Sequence, residues 1–191
     1  MLRARRPGGI EPLPPRRKWR AILLSTLLLV PGYWALLAGL VSVASDERGG
    51  PSNAGLAIAF GLMLVPFVFI ALAFLSEHPR APGAAAGAMA LSLLVGIPVS
   101  ALAADAVTGF VAGIGAGGIV AMRNDLDRSW KARSLAVLLA TAWAFVTVRT
   151  VPEVALLLAP VLPFTSIGLA DHLLQLRRER EAREQPATEE R

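Results

Sequence analysis

The sequence predicts an all-α protein, a polytopic transmembrane helix bundle of six spans with both the N-terminus and the C-terminus cytoplasmic. Three observations lead there. The chain is 54% hydrophobic and only 17% charged, against roughly 25% charged residues in soluble domains. The charges are also segregated, with long uncharged stretches alternating with short charged clusters, as the bilayer demands. Finally, 17 of the 19 Lys and Arg residues fall on one side of a six-span path, the asymmetry that orients membrane proteins.

Residues 1–20 are read as a basic cytoplasmic arm. Pro7, Pro12, Pro14 and Pro15 stand among arginines there, a composition that cannot bury enough apolar surface to fold alone, so disorder is expected. The membrane domain, 21–174, follows. A hydrocarbon core about 30 Å thick needs roughly 17–25 apolar residues per helix. Six segments qualify: Ala21–Ala44, Ala54–Leu75, Gly83–Ala104, Ala106–Met122, Ser134–Val151 and Pro152–Leu174. Joining the third and fourth would give a helix too long for a bilayer and would place Asp105 at its middle, where a charge is expensive. The first segment ends in a small-residue pattern resembling a cleavage site, Ser42-Val43-Ala44. Its apolar run exceeds the 7–15 residues of a signal core, so it is read as a retained anchor. The remainder, 175–191, is a charged cytoplasmic tail that begins as a helix. Arg177/Glu181, Glu179/Arg183 and Arg180/Glu184 are spaced as i,i+4 ion pairs, and Pro186 is expected to end it.

Composition closes several routes. There is no cysteine, which removes disulfides, thiolate metal sites and cysteine nucleophiles. The sequence pI near 10.9 invites a nucleic-acid reading, but the basic residues flank apolar spans. Anionic headgroups at the cytoplasmic face are the simpler partner, and no nucleic acid is expected. Arg outnumbers Lys 17 to 2 in an Ala-rich chain, which suggests a bacterial protein of the inner membrane.

The stretch "GFVAGIGAGGIVAMRND" at 109–125 holds Gly113, Gly115 and Gly118 in dinucleotide-binding order. That fingerprint needs a preceding strand and an acid about 20 residues on. Here an apolar span precedes it and position 138 is Leu. The same residues fit a different pattern. Gly109, Gly113 and Gly117 recur every four residues along one stripe, the small-residue spacing that lets membrane helices approach closely. Whether that stripe meets a neighbouring span or a second copy of the chain is left open by the sequence.

Interior prolines stand at Pro31, Pro66, Pro98, Pro160 and Pro163. Each removes a backbone hydrogen bond, which is compatible with packing kinks or with broken helices along a substrate path. Asp105 and Arg149 fall at the outer ends of adjacent hairpins and form a candidate polar pair. Glu77, His78, Asp171 and His172 lie at one level without metal-ligand spacing, so no metal or cofactor is expected. Trp19 and Trp130 stand beside basic residues, as interface anchors do; Trp34 and Trp143 are expected to pack deeper. No nucleophile has a base at matching depth, so the chain is not expected to be an enzyme. The expected role is a non-catalytic packing or interaction component of a membrane assembly, through self-association or another membrane protein. The alternative is a small transporter or channel subunit.

Overall fold

A computed structural model describes residues 13–44, 51–124 and 129–184. The first 12 residues of the basic arm, the 45–50 loop with Arg48, residues 125–128 and the expected stop at Pro186 lie outside the described residues. The described residues are helical, without strands: α1 (Pro15–Ala44), α2 (Pro51–Leu75), α3 (Ala81–Ala103), α4 (Ala106–Ala121), α5 (Ser129–Thr150), α6 (Pro152–Leu158) and α7 (Leu162–Glu184). Four of them, α1, α2, α3 and α5, are long and apolar enough to cross a membrane, and α6 with α7 makes a fifth if the bent pair is one span. Large apolar side chains such as Leu94 (73% exposed) and Leu102 (88%) face outward. That is the pattern of a bundle whose solvent is hydrocarbon.

Several boundaries differ from the sequence reading, α5 among them with its start at Ser129. Helix α1 begins at Pro15, so residues 15–20, assigned to the arm, are helical. Proline suits the first helical turn, where its missing N–H has no partner to lose. The sixth segment is not one helix: α6 and α7 meet at 68°. Pro160 and Pro163 explain the break, since neither has an N–H to donate across it. By contrast, α1, α2 and α3 run unbroken through Pro31, Pro66 and Pro98.

The architecture is two antiparallel hairpins and a third group around them. Helix α1 packs along α2, α3 packs along α4, and α5 and α7 close around α4. Gly61 lets α1 and α2 touch: a β-carbon there would lie 2.7 Å from Gly32 O and 2.9 Å from Leu36 N. Helix α4 is the axle. With 16 residues it is about 24 Å long at 1.5 Å per residue, and 11 of those residues are buried.

The turn from α2 to α3 is a Schellman motif. His78 N donates to Ala73 O (2.9 Å) and Glu77 N to Phe74 O (3.0 Å). Glu77 occupies the left-handed position, φ 54°, where glycine is usual. The turn from α3 to α4 is tighter. Ala104 is left-handed, and the Asp105 carboxylate caps α4 by accepting from Thr108 N at 2.6 Å.

The ends of the bundle are unlike. The starts of α1, α3 and α5 and the ends of α2, α4 and α7 form a basic end. Among the described residues Arg149 is the one Lys or Arg at the far end.

Candidate functional site

The glycine stripe meets α3. A β-carbon built at Gly113 would lie 2.5 Å from Ser92 O and 3.0 Å from Gly96 Cα. At Gly109 it would strike Ser100 Oγ and lie 2.6 Å from Gly96 O; at Gly117 it would strike the Phe69 ring and lie 2.6 Å from Ala88 O. The other glycines of α4 face other neighbours, Gly115 toward Val137 of α5 and Gly118 toward Phe164 and Ile167 of α7. The stripe is therefore covered within the chain, and α4 runs as a helix through the whole G-x-G-x-x-G stretch.

At the far end, Arg149 Nη1 lies 3.7 Å from Asp105 Oδ2, while its Nη2 donates to Ala103 O at 2.8 Å. The guanidinium also stacks 3.6 Å from the Phe145 ring centre. This half-exposed group binds the α3–α4 turn to α5 by one carbonyl at the end of α3, where the helix dipole favours a cation.

The basic end holds a buried ion cluster that the sequence reading did not single out. Arg133 is 0% exposed and Asp171 2%. Arg133 Nε and Nη2 donate to the two Asp171 oxygens at 3.1 and 2.7 Å. Nη1 donates to Met122 O (2.8 Å) and Ile119 O (3.4 Å), and Nη2 also to Arg123 O (2.6 Å). All five guanidinium donors are engaged. Lys18 Nζ adds a second cation 3.6 Å from Asp171 Oδ2. The carbonyls at the end of α4 carry the negative end of its dipole, which offsets the excess positive charge. One carboxylate and one guanidinium thus tie α1, α4, α5 and α7 together.

A second, more exposed layer surrounds it. Glu77 Oε1 lies 2.5 Å from Arg17 Nη1, and Oε2 lies 3.7 Å from Arg123 Nη1. Glu77 thus reaches two arginines from its left-handed turn position. Ser76 Oγ accepts from Arg123 N (3.1 Å) and donates to Ala73 O (3.3 Å). Burial, and then the positive charge of Arg133, holds His78 below the ordinary imidazole pKa. Asp171 is engaged by cations, and among the described residues no three His, Asp or Glu side chains gather as metal ligands.

A groove of about 640 Å³ opens in the far half, between the α1–α2 and α3–α4 hairpins. Leu36, Leu62, Pro66, Ile97 and Phe110 line it, together with Tyr33, Ser92 and Ser100. Tyr33 is 3% exposed, and its Oη finds no hydrogen-bond partner among the described residues. Its ring lies 4.8 Å from that of Phe110 and 5.5 Å from that of Trp34. Trp34 itself is exposed, and Trp143 lines a second groove between α5 and α7, so neither tryptophan is packed in the interior as expected.

The signal for the missed cluster lies in helical register. Arg133 shares the buried face of α5 with Val137, Ala140 and Ala144; Asp171 follows Phe164 and Ile167 at the same interval on α7, and Lys18 precedes Ile22, Ser25 and Leu29 on α1. A charge in line with an apolar face is a buried charge.

No known protein family matches this chain, and no curated protein or solved structure does so either.

Proposed function

We propose that the chain is a six-span protein of a bacterial inner membrane that acts without catalysis, as an interaction component of a membrane assembly. Helix α4 is counted as a span within the bundle, and the bent α6–α7 pair as the sixth. The basic end is placed in the cytoplasm, because the excess of Lys and Arg sets orientation, and anionic headgroups surround it there.

The observation that supports this role is how the polar side chains are engaged. The hydroxyls of Ser134, Thr141, Thr147, Thr150, Thr165 and Ser166 all donate to carbonyls of their own helices. Arg133, Asp171 and Lys18 hold helices together. These side chains are used for construction, although the buried hydroxyls of Ser25, Thr26 and Thr108 find no partner among the described residues, and the broad apolar outer surface is the part exposed to other molecules. The test is the native size of the protein extracted gently from its own membrane. An assembly containing a second, different membrane protein is expected; a lone monomer at every detergent concentration overturns the reading.

One observation favours the alternative of a small transporter or channel subunit. The far groove offers a partial path. Val68, Phe69, Leu72 and Phe164 do not line it and are closed to solvent. Solute flux through vesicles carrying the pure protein, abolished by filling the groove with Ile97→Trp, would establish that alternative instead.

A further inference from the structure

We propose that the groove between α5 and α7 binds one anionic phospholipid, with an acyl chain along the groove and its phosphate at the basic rim. This rests on the membrane reading above and gives its headgroup partner a defined place. The groove encloses about 720 Å³. Its floor is made of small residues, among them Ala136 and Ala170, and its walls of leucines. Leu139 and Leu173 on those walls are 63% and 56% exposed, so the chain itself leaves the groove open along its length.

The rim supplies the charge. Arg177 and Trp19 line the groove at its basic end. One helical turn before Leu135 on α5 stands Lys131, whose Nζ lies 5.6 Å from the Trp130 ring centre. Arg20 follows Trp19 on α1, and Arg16 stands one helical turn before it. The first turns of α1 and α5 contain no acidic residue, and the start of α5 adds the positive end of a helix dipole. Arg177 Nε donates to Glu181 Oε1 at 2.8 Å. That pair is well exposed, and the bond uses one of five donors, so the fork of the guanidinium remains for a phosphate. A zwitterionic headgroup would bring its own cation among these basic groups. A net negative one does not, so charge selects the anionic lipid and the groove selects a lipid over a free ion.

The test uses the full purified chain in detergent. Phosphatidylglycerol, phosphatidylcholine of the same chain length, and inorganic phosphate are added in parallel. Retained adducts are counted by native mass spectrometry, and melting temperature is followed. Phosphatidylglycerol is expected to be retained and to raise the melting temperature, with phosphatidylcholine weaker and phosphate without effect. Lys131→Gln and Arg177→Gln should each lower phosphatidylglycerol retention about fivefold, the usual contribution of one basic residue near an anionic surface; Arg177→Lys should keep most of it. Ala136→Trp fills the groove with the rim intact and should also abolish retention, and Ala170→Leu serves if that variant fails to fold. Retention unchanged in the charge variants and in the filled groove would overturn the site while leaving general headgroup attraction standing. Equal retention of the two lipids by the parent would overturn the headgroup reading as well. Stabilisation by phosphate alone would mean an ion site at the rim and no lipid site.

Discussion

The two halves of the bundle are held by different forces. Near the basic end, α1, α4, α5 and α7 are joined through charge, with Arg133 and Asp171 at the centre and an apolar layer of Ile22, Phe69, Leu72 and Phe164 above it. In the far half the hairpins are each held by backbone approach across glycine, and a groove separates them. A charged contact is long-ranged and intolerant of losing one member, whereas a glycine contact is short-ranged and intolerant of added volume. The basic half should therefore respond to deletion of charge and the far half to addition of bulk.

The largest effect should come from the cluster. Arg133→Met leaves Asp171 facing Lys18 alone and strips three carbonyls of their donor. Breaking a buried pair costs about 3–5 kcal/mol. Matching changes of Asp171 to Leu and Lys18 to Met in the same chain should recover much of it, because replacing every charged member with apolar groups is often neutral. Melting of the extracted protein checks both. A loss under 1 kcal/mol for Arg133→Met alone would mean that the half is held by its apolar layer.

Next comes bulk at the stripe. Gly113→Leu should destabilise by at least the 1–3 kcal/mol typical of an overpacked core, since the first β-carbon already meets the backbone of Ser92. Ile114→Leu conserves volume and should cost less than about 1.5 kcal/mol. As a control within the same fold, Gly83→Ala meets nothing within 4 Å and should melt like the parent. A single cysteine at 116, placed in this cysteine-free chain, should trap no dimer under oxidation.

How much of this was legible beforehand differs by half. The glycine stripe was legible as a four-residue repeat of small side chains, the spacing that lets helices in lipid approach closely. Asp105 was recognisable as a polar residue at a turn, and its cap follows from that position. The partner of the stripe was not readable, since any neighbouring helix satisfies the same spacing. Arg133 was hidden by its company. It lies near Arg123 and Lys131, residues that together announce an interface, and only its alignment with Val137 and Ala140 separates it from them. The break after α6 was also hard to foresee, because prolines at 31, 66 and 98 leave their helices continuous while two prolines three residues apart do not.

A smaller effect sharpens the comparison at the turn between α2 and α3. His78 titrates below its ordinary value when folded. Stability from keeping it neutral is fully present above the unfolded pKa of about 6.5 and is lost as pH falls through the folded value. His78→Asn should therefore flatten the melting profile between neutral and mildly acid pH relative to the parent. Parallel profiles for the two proteins would show that burial at the turn does not hold His78 neutral. The smallest effect is expected at Tyr33. Removing a hydroxyl that has no partner leaves nothing unsatisfied, so Tyr33→Phe should melt within about 1 kcal/mol of the parent or slightly above it.

The shortness of α4 bears on how the chain enters a bilayer. About 24 Å of helix is less than the roughly 30 Å of hydrocarbon, and an isolated α4 would leave its last carbonyls without donors in oil. With only Ala104 and Asp105 between them, α3 and α4 are built to partition as one helical hairpin. The exposed ends of α4 would then wait for residues synthesised later: Arg149 at one end and Arg133 at the other. Biogenesis of the N-terminal four helices would in that case stay provisional until α5 arrives, and a chain truncated before Ser129 should be cleared by membrane quality control rather than accumulate.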